Sequence, residues 1–308
     1  AKISVKSAGA MAKITKKLEQ CVSRGDYYQA QQLCLSLFSR NKRKDPAKAY
    51  DTLVSGAKLL FPRGDVTAGS ELALTLSKSY IDSRLDFEPE NMSRLLVLVE
   101  SYPEAEVLGS DEKAKLAVQN CEKFVEQCAK WCYLHHRRRE AAALYEKLGR
   151  YTLRSVGEEF SGRALMHSMK GQNLSDVAAV ISFAASRARP DEEDLIIAKV
   201  LFRYVSARGK TSPHELSNYA KVGKALLDMY EKEAGRSLPD TPLMHFVRLA
   251  LEALEMSSDK LLSKLQSKYS LALGQDPEIA ATVHSLVSVL KPKQKKPPSI
   301  MDMFKLFA

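Results

Sequence analysis

The residues best equipped for chemistry lie between positions 121 and 136. Cys121, Cys128 and Cys132, with His135 and His136, are thiols and imidazoles of the kind that hold zinc. Their spacing argues against a metal. On a helix, positions 121, 125, 128 and 132 fall on one stripe, with Val125 among the cysteines. Ligands must converge on a metal, usually from separate elements, whereas a single stripe of thiols is what a helix buries in a core. The run Asp191-Glu192-Glu193-Asp194 follows Pro190 and opens a helical pattern. The helix dipole favours carboxylates there, so the run reads as a helix start rather than as paired acid–base catalysts. No phosphate-binding loop, dinucleotide fingerprint, nucleophile elbow or zinc-protease motif occurs. The residues support no catalytic centre, metal site or cofactor, and the chain reads as a non-enzyme.

A third set is basic. Lys13, Lys17, Gln20 and Arg24 fall at i, i+4, i+7 and i+11, on one helical face, and Arg40, Lys42, Arg43 and Lys44 close the following segment. Such a pattern is either a solvated surface or a docking surface. The formal net charge is +10, and it is unevenly placed. Residues 1–50 hold 11 Lys/Arg against 3 Asp/Glu, residues 291–308 hold 5 against 1, and the 240 residues between them are net −2. A nucleic-acid-binding body would carry a basic stripe with interleaved aromatics. Basic ends on a neutral body suit acidic protein partners instead.

These basic residues need elements to carry them. Ile14, Leu18, Cys21 and Val22 recur at helical spacing, as do Ala30, Leu33, Cys34, Leu37 and Phe38. Between the two sets, Gly25 suits the left-handed end of a helix, and Asp26 suits the start of the next. This is a helical hairpin, and the chain continues in the same manner. Asp45-Pro46 restarts a helix that Phe61-Pro62-Arg63-Gly64-Asp65 ends. Ala68 to Asp82 follows, Glu88-Pro89 opens another, and Asp111 heads a long helix reaching towards His136. Further helices are expected over 137–151, 158–169, 175–187, 192–207 and 213–234.

The segment Gly235 to Pro242 is the clearest non-helical connection, and Leu243, Phe246, Val247, Ala250 and Leu254 mark the helix after it. Alternating strand patterns are nearly absent. The fold class is therefore all-α: an elongated right-handed α-solenoid of helical hairpins, tetratricopeptide-like but with irregular repeats.

Met11-Ala12-Lys13 reads as a native beginning and residues 1–10 as an extension. Residues 11–150 and 151–290 read as the two halves of the solenoid. Lys291 to Pro298 is an extended basic, Pro-rich tether. Beyond it Ile300, Met303, Phe304 and Phe307 form a short amphipathic tail motif able to fill a groove. Five cysteines without a paired framework, and no signal peptide or long apolar run, lead us to expect a reduced, cytoplasmic protein without direct membrane insertion.

Several stretches together resemble the fourth member of the Golgi-to-ER traffic family, the scaffold of the guided-entry pathway for tail-anchored membrane proteins. Gly25-Asp26-Tyr27-Tyr28-Gln29-Ala30 is similar to its G-D-Y-Y-E-A turn, and Ser55 to Phe61 to its S-G-A-L-L-F-F segment. Glu193 to Tyr204 is similar to a D-x-F-I-A-R-A-V-L-x-Y helix, and Thr241 to Phe246, Asp276-Pro277 and Pro292-Lys293-Gln294 fall where the family has comparable residues. The region from Gly149 to Gly171 matches poorly.

The resemblance implies an α-solenoid adaptor without catalysis. Its N-terminal half would dock the pathway's targeting ATPase, with basic positions on Lys13, Lys17, Arg40 and Arg43 and an acidic one on Glu71. A second acidic position is Lys78 here, and a basic one is Cys21. The C-terminal half would hold a ubiquitin-like partner or a BAG-domain holdase, for which Leu238, Pro239 and Phe246 are the expected contacts. The alternatives are an adaptor subunit of another cytosolic complex, of the proteasome-lid or signalosome type, and a nucleic-acid-binding solenoid. The first usually ends in a winged-helix module with strands, a pattern lacking near this C-terminus.

Overall fold

A computed structural model describes residues 16–155, 161–189, 191–209 and 212–291. Lys13, Ile300, Met303, Phe304 and Phe307, with the extension 1–10, lie outside the described residues. Among the described residues there is no strand, and the all-α solenoid class holds. The chain divides into two compact units, residues 1–180 and 181–308.

The first unit is a succession of antiparallel neighbours. Its first helix, α1, is described over 16–23. It is followed by α2 (Tyr27–Asn41), α3 (Pro46–Leu60), α4 (Val66–Asp82), α5 (Pro89–Ser101), the short α6 (Ala105–Leu108), α7 (Asp111–Leu134), α8 (Arg138–Ser155) and α9 (Ser161–Lys170). α2 packs on α3, α3 on α4, α7 on α8 and α8 on α9, while α2 on α4, α3 on α5, α4 on α7 and α5 on α8 give the two-layered stacking of a solenoid.

Helix starts follow local chemistry. The Asp45 and Asp65 carboxylates accept the N–H groups of Lys48 (3.1 Å) and Ala68 (2.9 Å), and Pro46 sits at the first helical position, where its missing donor costs nothing. At α7 the cap is Ser110, one residue before the expected Asp111. Asp26 makes no side-chain cap bond, against the sequence expectation for the first hairpin.

Helix ends share a device that the sequence shows only once. At Gly25 (φ +78°), Asp26 N–H donates to Cys21 O at 2.9 Å and Gly25 N–H to Val22 O at 3.1 Å. This pair of bonds satisfies the last carbonyls and turns the chain back. The same pair recurs around Arg84 (φ +46°), where Leu85 N–H donates to Tyr80 O and Arg84 N–H to Ile81 O, and again around His136 (φ +58°).

Trp131 of α7 then locks one of these turns, its indole N–H donating to Leu85 O at 2.9 Å while its ring stacks on Phe87 at 5.3 Å. Left-handed backbone costs a side-chain-bearing residue about 1–2 kcal/mol, and glycine's greater unfolded freedom returns about 0.5–1 kcal/mol of that. Arg84→Gly is therefore expected to stabilise the unit by about 0.5–1 kcal/mol, a rise in Tm of roughly 1–4 °C by calorimetry. A fall would show that the Arg84 side chain contributes more than its backbone costs.

The helix α10 (Leu174–Arg187) carries the boundary between the units. The second unit continues with α11 (Glu193–Arg208), α12 (Pro213–Ala234), α13 (Pro242–Glu255), α14 (Asp259–Lys268), the short α15 (Ser270–Leu273) and α16 (Pro277–Leu290). Three partners surround α11, namely α12, α13 and α16. That enclosure explains why Ile197, Ala198, Leu201, Phe202, Tyr204 and Val205 are all buried, on more than one face of the helix. Caps again set the starts: the Thr241 hydroxyl accepts Met244 N–H at 3.2 Å, and the Asp276 carboxylate accepts Glu278 N–H at 2.8 Å.

Candidate partner-docking surfaces

The basic face rests on the first hairpin. Leu18, Val22, Ala30, Cys34, Leu37 and Phe38 are buried, which turns the opposite side of α1 and the end of α2 outward. Lys17, Arg40 and Arg43 are exposed there, and none of them pairs with a carboxylate among the described residues. Lys42 lies over the Phe38 ring at 5.5 Å, a contact that keeps its ammonium at the same end.

Glu71 is also exposed, on α4. The buried Gln31 of α2 donates to its carboxylate and fixes it beside the hairpin. Sequence reasoning missed Gln31, because an amide on an apolar stripe looks like a lapse until its partner on another helix is seen. The alternation of direction makes α2 and α4 parallel. Two turns beyond Glu71, exposed Lys78 therefore falls level with the end of α2 that carries Arg40 and Arg43.

The cysteines lie inward. Cys34, Cys121, Cys128 and Cys132 are buried and Cys21 is partly buried, all as free thiols. Burial pushes Cys34 and Cys132 up to about 12 and raises Cys121 and Cys128 well above the ordinary thiol range. The thiolate is the reactive form. A disulfide reagent at neutral pH is thus expected to label Cys21 first and the other four only on unfolding. Rapid labelling of all five in the native chain would contradict this packing.

In the second unit, the connection from Gly235 to Pro242 is tied down at each step. Arg236 pairs with Glu193 at 3.0 Å, Leu238 N–H donates to Glu231 Oε1 at 3.0 Å, and the Thr241 hydroxyl donates to Asp194 Oδ2 at 2.7 Å. Tyr230 donates to Glu193 at 2.6 Å, and burial first, then that bond, push its phenol up to about 12.

The acidic run is therefore a helix start whose last two carboxylates brace the connection between α12 and α13. Leu238 is 8% exposed and Phe246 fully buried, whereas Pro239 is only partly buried. Leu238 and Phe246 consequently serve the interior of the unit, not its surface, and only Pro239 of the three reaches outward. Leu238→Asp places a charge where an apolar side chain now packs. It is expected to lower the unit's Tm by several degrees, as a loss of about 2–4 kcal/mol would. An unchanged melting curve would return the loop to the surface.

Fold and surfaces together define an all-α helical-repeat protein with charge set out on one hairpin and, among the described residues, no group of metal-binding side chains. The profile of the Golgi to ER traffic protein 4 family matches residues 43–307, and the chain belongs to that family. It is 23% identical to Protein GET4 of Arabidopsis thaliana over 94% of each chain. It is 21% identical to the Golgi to ER traffic protein 4 homolog of Homo sapiens over 94% of this chain and 84% of that one. Among solved structures, the crystal structure of C. therm. Get4 superposes with a TM-score of 0.62 at 18% identity, over 97% of this chain and 96% of that chain. The family is named for traffic between Golgi and ER, not for a catalysed reaction. Among the described residues, no helix is long and apolar enough to cross a membrane.

Proposed function

We propose that the chain is a non-enzymatic cytoplasmic scaffold for post-translational delivery of tail-anchored membrane proteins to the ER. In this reading its first unit anchors the targeting ATPase of the guided-entry pathway. Its second unit holds a ubiquitin-like or BAG-domain holdase partner. The observation that carries the reading is the basic face of Lys17, Arg40 and Arg43, unpaired among the described residues, on a chain whose family match runs from residue 43 to 307. Lys13 extends the face by sequence, and Glu71, held by Gln31, supplies the one acidic contact. Charges of this kind find an acidic surface quickly and orient it, while contributing modestly to affinity one by one.

Exposed pairs contribute about 0.2–1 kcal/mol each, so a single reversal is expected to be mild. The double reversal Lys17→Glu with Arg40→Glu turns attraction into repulsion. It should weaken binding of the purified targeting ATPase about tenfold or more at low salt, chiefly through slower association, while leaving holdase capture unchanged. Wild-type affinity and association rate for that double variant at low salt would show that the face is merely solvated. Lys78 makes a further distinction. Where the partner surface presents a carboxylate opposite it, Lys78→Glu should weaken binding in the same sense as the double reversal.

A further inference from the structure

A cleft in the second unit remains unused by the surfaces above. The first turns of α11 and α13 and the short α15 enclose about 620 Å³ of open space. Its floor is apolar: Leu243 is buried, and the Tyr269 ring packs 5.7 Å from Phe246. On its rim Leu271 is 91% exposed, the most exposed large apolar side chain among the described residues. A single exposed leucine is ordinary on a protein surface. One that borders an open apolar cleft invites an occupant.

We infer that this occupant is the chain's own C-terminal segment, with Ile300, Met303, Phe304 and Phe307 seated against Tyr269 and Leu271. The lengths agree. The cleft ends at Gln275, next to Asp276, which caps α16. That helix, Pro277–Leu290, is about 21 Å long at 1.5 Å per residue. Residues 291–299 span about 28 Å at 3.1 Å per residue in the extended form that Pro292, Pro297 and Pro298 favour. A tether of that length is long enough to run back along α16 and bring Ile300 to the cleft, with little to spare.

The charges agree as well. The tether's Lys291, Lys293, Lys295 and Lys296 are opposite in sign to Asp191 and Asp194 on the rim, as Asp302 and Lys305 of the motif are to Lys268 and Asp191. A tether of this length keeps the motif at high effective concentration, so any external ligand of the cleft must displace it. The inference stands independently of the ATPase-docking reading.

The test uses the full chain with the photo-crosslinker benzoylphenylalanine in place of Phe304. The expected product is an intrachain link from residue 304 to the 268–275 stretch, identified by mass spectrometry, with a yield that does not change on dilution. Leu271→Asp should cut that yield about tenfold, as loss of an apolar anchor would. At 91% exposure Leu271 contributes little to the interior, so this variant should keep the wild-type Tm. In a second readout, Met303→Asp with Phe304→Asp should speed amide hydrogen exchange across 268–275 about fivefold or more. Links whose yield rises with concentration would assign the motif to a second copy and overturn the inference. So would links spread over the surface, or links indifferent to Leu271→Asp with exchange unchanged in the double variant.

Discussion

The first unit depends on how closely α2 and α4 approach a single point of α3. A Cβ at Gly56 would lie 2.5 Å from Cys34 Sγ and 2.9 Å from Leu72 Cδ1, so any larger residue there would push on both neighbouring helices together. Ala30, Ala49, Ala57 and Ala73, all buried, keep the surrounding crossings equally tight. Protein interiors pack at crystal-like density, and a shift at such a crossing spreads instead of being absorbed. The functional consequence is one of register. With α2 and α4 this close, Gln31 reaches Glu71, and the cations at the end of α2 take a fixed position relative to Glu71 and Lys78.

How the chain disposes of charge separates its buried ionised residues from the exposed basic residues of the first hairpin. Arg94 is buried and bonds Asp51 at 2.8 Å and Glu90 at 2.7 Å; burial works to lower its pKa, but the bond and charge of Asp51 prevail and raise it. Glu122, also buried, meets His167 and Arg163, each at 2.8 Å, and ties α7 to α9. Glu193 and Asp194 are satisfied in the same way. Removing a partner would leave a buried charge uncompensated, a cost softened where the partner, like Asp51 or Glu90, is itself solvated. These groups are already engaged within the fold. Among the described residues Lys17, Arg40 and Arg43 have no carboxylate partner, at almost no cost, because water solvates them.

Legibility in the sequence divided along the same physical line. Helix starts were readable, since Asp45-Pro46, Thr241-Pro242 and Asp276-Pro277 announce themselves through side chains that bond local N–H groups. Helix ends were readable at Gly25 but not at Arg84, His136 or Ser257, whose left-handed backbone comes from packing on either side and leaves no mark in the residue type. The basic hairpin and the buried cysteine stripe followed from periodicity alone. The loop after α12 did not, because its length suggested exposure whereas its anchors, Glu193, Asp194 and Glu231, lie in helices before it. Phe246 was already on the apolar stripe of its helix, and that periodicity, not its nearness to a loop, was the reliable sign.

What the basic face contributes follows from its range. Screening at physiological salt confines each charge to about 8 Å, so cations spread singly over 308 residues would barely cooperate. Lys17, Arg40 and Arg43 lie on or just after one hairpin, and a body that is net −2 between basic ends does not blur their charge. A field of this kind sets how fast and in which orientation an acidic partner arrives, more than how long it stays. Under the docking proposed above, residence would be limited by the small worth of each exposed pair, and arrival hastened by all of them together. For that proposed docking, the placement enforced at Gly56 and at the Gly25 turn would matter more than the identity of any one cation.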